Sequence, residues 1–392
     1  MLEKYGFKKL YKDNDGPTVV VGMSGGVDSS VSAAVLKWQG YNVIGLFMKN
    51  WEEVSNAGFC TAESDYADVK RVCEALDIPY YAVNFSKEYM NNVFKVFLNG
   101  LERGYTPNPD ILCNREIKFG PFLDYAKKIG ADYIATGHYC RSAASFGLNC
   151  DSSLVTCSSK LLADSFLLKG LDEKKDQSYF LCALSQEQLS KVIFPIGGIQ
   201  KAQVREIAAS LGLVTAEKKD STGICFIGER KFRDFIKDYF GNQSGDIKTL
   251  DGQVVGRHEG LMYYTMGQRK GLGIGGIKQV ADTARWFVVG KDLENNVLLV
   301  NNGECEQMFT NELTAIDFNW ISRPSTNAFT CMAKTRYNQP DQDCSVMIQD
   351  DGSLQIVFAK KQRAVTPGQW VVLYDGDVCL GGGIIMPNKE CG

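Results

Sequence analysis

The stretch "PTVVVGMSGGVDSSVSAAVLKWQG" (residues 17–40) most constrains what this chain can fold into. Pro17–Met23 is a short β-branched run, the pattern of a strand buried in a parallel sheet. A glycine-rich turn follows. Val31, Ala34, Val35 and Trp38 then recur at helical spacing, and Gly40 reads as a stop. Strand and helix keep alternating downstream. "YNVIGLFM" reads as a strand, and "SDYADVKRVCEAL" as a helix with Ser64 as N-cap and Tyr66, Val69, Val72, Cys73 and Leu76 on one face. "IPYYAVNF" is a third strand, "KEYMNNVFKVFLNGLERG" and "FGPFLDYAKKIG" are helical, and "ADYIATGHY" is a fourth strand ending at Gly137. Strand and helix alternate throughout, so the expected fold class is α/β, a doubly wound, mostly parallel sheet with helices on both faces.

The pattern loosens over Arg141–Lys160, which is rich in Ser and Cys and reads as a surface hairpin or loop. From Gly245 the chain becomes mostly β, with Asp-Gly turn pairs at 251–252, 351–352 and 375–376. We expect the α/β domain to span 1–228, a small β-rich domain 229–303 and a C-terminal β-barrel 304–392. No apolar run reaches the ~18 residues a membrane span needs. The first residues, "MLEKYGFKKLYKDNDG", mix both charge signs and do not read as a secretory signal. Thirteen cysteines include no C-x-x-C pair, and only His138 and His258 offer imidazole, which argues against a tightly spaced structural zinc site. Scattered thiols fit a reducing, cytoplasmic setting. A formal charge of −3 gives no global signal for nucleic acid but permits local basic clusters. Such clusters stand at Arg230, Lys231 and Arg233, at Arg269 and Lys270, and at Lys360, Lys361 and Arg363.

"GMSGGVDSS" (Gly22–Ser30) sits where the first strand feeds the first helix. Gly25 and Gly26 let backbone approach an anion, and the helix N–H groups with the hydroxyls of Ser24, Ser29 and Ser30 can hold phosphate. The lysine of a Walker loop is missing, and the pattern is not G-x-G-x-x-G. S-G-G-x-D-S instead resembles the PP-loop of ATP pyrophosphatases. That resemblance implies cleavage of ATP between the α- and β-phosphates and transfer of AMP to a carbonyl-type oxygen, with Asp28 helping to hold Mg2+. Amidating synthetases for GMP, NAD and argininosuccinate share this loop, as do enzymes that replace oxygen with sulfur in tRNA.

Two cysteines stand apart from the rest. Cys113 follows the rigid polar turn of "TPNPDILCNREIKFG", and Cys225 lies in "TGICFIG" just after Lys218 and Lys219, whose charge would favour a thiolate. Read alone, either could be a packing thiol, the reading we give the other eleven. With "ATGHY", "LLKGLDEKKDQSYFL", "FPIG", "DSTGICFIGERKF", "YTMGQRKGLG" and "AVTPGQWVVLYDGDVCLGGGII", these segments run in order from about Gly22 to Ile385. Together they resemble the tRNA-specific 2-thiouridylase family, which makes 2-thiouridine at the anticodon wobble position.

The resemblance implies roles residue by residue. Gly22, Met23, Ser24, Gly25, Gly26, Val27, Asp28 and Ser29 would bind ATP, with Met48 on the adenine side and Gly137 lining the nucleotide site. His138 beside it reads as structural. Asn108, Pro109 and Asp110 would contact the target uracil, Asp110 also as an acid or base. Lys175, Asp176 and Gln177, and Arg336 with Tyr337, would contact tRNA. Asn338 stands where many relatives carry Arg. The implied chemistry is adenylation of uracil O2, then sulfur transfer from a persulfide on Cys225, with Cys113 closing a disulfide to it. The implied partners are tRNAs for Lys, Glu and Gln and a cysteine desulfurase or sulfur-relay protein. Two other readings stay open on the residues alone: an amidating ligase, which needs an ammonia source, and a nucleotide-responsive RNA-binding protein without catalysis.

Overall fold

The computed structural model describes residues 1–51, 61–144, 161–162, 164–220, 232–274 and 285–387. Cys225 and most of Arg141–Lys160 lie outside the described residues, as do Arg230 and Lys231.

The first sheet has five parallel strands. They are β1 (Thr18–Met23), β2 (Asn42–Lys49), β3 (Tyr80–Asn84), β4 (Tyr133–Ala135) and a short strand Val192–Ile193, in the spatial order β3, β2, β1, β4, Val192–Ile193. β1 is central, which is why its valines are apolar on both faces. Val20 packs into one core with Leu46 and Ile134, while Val19 and Val21 pack into the other with Val31, Val35 and Val43. Helix α1 (Val27–Gln39) and helix α2 (Thr61–Ala75) cover the sheet on the second core's side. The helix expected through residues 87–104 is present, with a wide π-type turn at Met90–Phe94 before helix α3 (Lys95–Glu102). The polar turn leads into helix α4 (Pro109–Cys113), a π-type turn and helix α5 (Pro121–Lys128).

A four-stranded sheet follows: β5 (Gly245–Thr249), β6 (Val254–His258), β7 (Trp286–Asp292) and β8 (Val297–Asn302). Its order is β6, β5, β8, β7, with β5 and β8 parallel and the outer pairs antiparallel.

The last sheet is β9 (Phe309–Trp320), β10 (Ala328–Lys334), β11 (Gln342–Ile348), β12 (Leu354–Arg363), β13 (Trp370–Asp375) and β14 (Val378–Ile385). Antiparallel pairing runs β9–β12–β11–β10–β13–β14, and β14 pairs back onto β9, closing a barrel. The barrel is filled by Leu313, Ala315, Val346, Ile356, Phe358, Val371 and Leu373. The hairpin expected around residues 141–160 has arms Cys140–Ala144 and Ser165–Lys169, and the second arm pairs with β14. It therefore bonds the first part of the chain to the barrel. Arg141 to Asp377 (2.7 Å) and Lys169 to Asp341 (2.5 Å) add ion pairs along this seam.

Candidate active site

The turn between β1 and α1 folds as a compact loop closed by its own hydroxyls. Ser24 N–H donates to Ser29 Oγ at 3.2 Å, and Gly26 N–H donates to Ser24 Oγ at 3.3 Å. The hydroxyls of Ser29 and Ser30 donate to the Gly26 carbonyl at 3.1 and 2.8 Å. Gly25 has φ +76°, and a Cβ there would stand 2.6 Å from the Asp65 carbonyl oxygen, so two reasons demand glycine. The loop opens onto the N-terminus of a 13-residue helix, whose first N–H groups lack intrahelical partners and attract negative charge.

Met48 and Gly137 reach this loop from neighbouring strands. The Met48 methyl lies 3.8 Å from where a Gly22 Cβ would be. A Cβ on Gly137 would stand 2.8 Å from both Asp28 C and Ser29 N, which are main-chain atoms. Gly137→Ala must therefore push the loop off its geometry. We expect ATP affinity to fall at least about tenfold, measured by calorimetry, with the melting temperature little changed.

The charge the loop lacks comes from a residue that sequence reasoning passed over. Lys201 heads helix α6 (Lys201–Ser210), where the Asp172 carboxylate accepts its main-chain N–H at 2.9 Å. Its ammonium meets both oxygens of Asp28 at 2.7 and 2.8 Å, and Asp220 at 2.8 Å. Tyr139 donates its hydroxyl to Asp28 at 2.7 Å. Asp220 also takes Lys175 (2.8 Å) and Arg205 (2.9 Å). Burial works against ionisation of Asp220, but Lys175 and Lys201 outweigh it and hold its carboxyl at about 2. Two carboxylates thus face three cations beside the glycine loop. A lone lysine at a helix start reads as solvated surface in sequence; only its 12% side-chain exposure reveals the role.

Cys113 ends α4. The Asn108 side chain caps that helix, accepting from the N–H groups of Asp110 (3.1 Å) and Ile111 (3.3 Å), and Pro109 takes the first helical position. Cys113 is buried, 1% exposed. Burial raises the Asp110 carboxyl above the usual range, with Lys118 opposing, so Asp110 holds its proton to higher pH than an ordinary aspartate. His138 is buried with its Nδ1 2.8 Å from the Thr136 hydroxyl, and burial and then Lys118 hold it neutral. The charge of Lys118 is felt at both Asp110 and His138, the Phe119 ring lies 6.1 Å from that of His138, and His138 follows the glycine that abuts Asp28, so the thiol turn and the glycine loop are near neighbours.

The expected tRNA contacts divide. Lys175 is partly exposed, but Asp176 is buried and its carboxylate is used internally, accepting from Gly170 N–H, Ser178 N–H and Ser178 Oγ. Gln177 accepts from Tyr139 N–H at 3.0 Å. Asp176 and Gln177 thus brace the strand end in this conformation. Arg336 donates through one nitrogen to the carbonyls of Met266 (3.2 Å) and Ala364 (2.7 Å) and to Thr366 Oγ1 (3.1 Å), so it ties the middle segment to the barrel. Tyr337 packs on Phe180 with ring centroids 4.5 Å apart. The Phe180 carbonyl accepts from Asn114 Nδ2 at 2.9 Å, which puts this aromatic pair beside the thiol helix. Of the basic clusters, Arg363 pairs with Glu304 (2.7 Å) and Lys361 with Glu306.

The glycine loop on a parallel sheet, with two β units after it, defines a nucleotide-binding protein of the HUP class. The family described as "tRNA methyl transferase HUP domain" matches residues 17–229, "tRNA methyl transferase PRC-barrel domain" matches 233–302, and "Aminomethyltransferase beta-barrel domain" matches 310–385. The chain is 53% identical to the tRNA-specific 2-thiouridylase MnmA of Listeria innocua, over 95% of each chain. It is 54% identical to that of Exiguobacterium sibiricum, over 96% of this chain and 95% of the relative. It is also 54% identical to that of Halalkalibacterium halodurans, over 95% of this chain and 96% of the relative. The chain belongs to the tRNA-specific 2-thiouridylase family.

Proposed function

We propose that this protein is an ATP-dependent sulfurtransferase that converts the wobble uridine of tRNA to 2-thiouridine, releasing AMP and pyrophosphate. The observation that supports it most is the linkage of a phosphate loop to a capped helix bearing Asp110 and Cys113, in a chain with full-length thiouridylase relatives. The loop, with Lys201 beside it, holds the phosphates of ATP. Asp28 supplies one carboxylate, in keeping with Mg2+ that arrives on nucleotide phosphates and takes few protein ligands. Met48 stands on the adenine side, and Gly137, against Asp28 and Ser29, lines the nucleotide site.

Uracil O2 attacks the α-phosphorus and pyrophosphate leaves, which turns a poor leaving oxygen into AMP. The terminal sulfur of a Cys225 persulfide attacks C2 and AMP departs, leaving uracil C2 bonded through two sulfurs to Cys225. Cys113 thiolate attacks the Cys225 sulfur. That step forms the Cys113–Cys225 disulfide and frees the C2 thiocarbonyl; a thiol reductant then resets the pair. Asn108, Pro109 and Asp110 hold the base, and protonated Asp110 is suited to donate to the developing charge. Lys175, Asp176, Gln177, Arg336 and Tyr337 fall to the tRNA side, Asp176 and Arg336 through the framework they brace. The sulfur comes from a cysteine desulfurase or relay protein, the substrates are tRNAs for Lys, Glu and Gln, and the location is cytoplasmic. Among the described residues no helix is long and apolar enough to cross a membrane.

The nucleotide products test the reaction class. AMP and pyrophosphate, formed in step with thiolation, are expected; ADP and phosphate would refute it.

A further inference from the structure

The three residues before the catalytic turn, Gly104–Thr106, are gripped from two sides. On the barrel side, the loop Ala364–Gln369 takes both main-chain groups of Thr106: its N–H donates to the Pro367 carbonyl at 2.9 Å, and its carbonyl accepts from Gln369 Nε2 at 2.6 Å. On the middle-sheet side, Lys291 of β7 donates its ammonium to the Gly104 carbonyl at 2.9 Å, Leu293 packs over Gly104, and Thr265 Oγ1 lies 3.5 Å from Thr106 Oγ1. Lys291 is half-buried, and burial alone pulls it down to about 8. A lysine in that setting is costly to keep for stability alone. Arg336 binds Ala364 and Thr366 of the same barrel loop and Met266 of the middle segment. Two residues past Thr106, Asn108 caps the helix that carries Asp110 and Cys113.

We propose that Gln369 and Lys291 are positioning residues for sulfur transfer: through Thr106 and Gly104 they fix the capped turn that presents Asp110 and Cys113. Neither touches the reacting atoms. The inference rests on the thiolation reading, but it has a readout of its own, the reactivity of Cys113.

The test compares full-length Gln369→Ala and Lys291→Met with the wild type. Thiolation is assayed with ATP, tRNA and a cysteine desulfurase with cysteine. Alkylation of Cys113 by iodoacetamide is followed by peptide mass analysis without tRNA. For both variants we expect kcat to fall about tenfold or more, because small misplacements of reacting groups are that costly. KM for ATP should stay within about twofold and the melting temperature should hold. Cys113, buried in the wild type, should alkylate about tenfold faster as the turn loosens. Unchanged kcat with unchanged alkylation in both variants would overturn the proposal while leaving the thiolation reading standing. A fall in kcat matched by loss of ATP binding or of the folded state would also overturn it. If the wild type made no thiouridine, the thiolation reading would fail, and the alkylation rates would still decide whether the clasp sets the thiol helix.

Discussion

Cys113→Ala and Cys225→Ala should each abolish 2-thiouridine formation while ATP and tRNA binding persist. The two thiols have separate tasks in the proposed sequence, one carrying sulfur and one releasing it, so neither can stand in for the other. The Cys113 side chain is small and buried at the end of a helix whose cap is supplied by Asn108, so alanine at 113 leaves the cap and the fold in place. Product analysis of the two variants should also differ. Cys225→Ala lacks the persulfide carrier and should form no sulfur adduct on tRNA, whereas Cys113→Ala should trap tRNA joined to Cys225 until reductant is added. Thiolation retained in both variants would sink the two-cysteine scheme.

Lys201→Met should weaken ATP binding by about 100-fold, the loss expected when a charge-assisted hydrogen bond to phosphate is removed. The loop has no lysine of its own, and Lys201 is the ammonium held against Asp28 at 2.7 Å. Removing it also leaves Asp28 with Tyr139 and Asp220 with Lys175 and Arg205, so the fold keeps partners for both carboxylates. A structural role for Lys201 predicts the opposite split: a lower melting temperature with ATP affinity retained. Titration calorimetry with a non-hydrolysable ATP analogue, beside thermal melts, separates the two.

How much of this was legible in the sequence follows from the range of the interactions. The strand–loop–helix unit is local, so the spacing of Val31, Ala34 and Val35 and the paired glycines are enough to place it; all three side chains are buried as expected. The barrel was legible as a class from its Asp-Gly turns. Its attachment was not. The Ser165–Lys169 arm pairs with a strand some two hundred residues later, and nothing in either segment records that partner. Lys201 and Arg336 show the same limit at the level of side chains. Lys201 reads as a surface cation and Arg336 as a tRNA contact until the fold shows Lys201 between two carboxylates and Arg336 among main-chain carbonyls. The polar turn before Cys113 was legible because Asn-Pro at a helix start has a local mechanism. The burial of Cys113 was not, because it depends on Ile111, Ile117 and Tyr179 packing into one core with it.

The central claim is tested most directly by mass analysis of tRNA nucleosides after incubation with the protein, ATP, a cysteine desulfurase and cysteine. The account predicts 2-thiouridine at the wobble position, dependent on ATP and matched by AMP. Unmodified uridine under conditions in which the protein binds both ATP and tRNA, or a methylated uridine in its place, would contradict it.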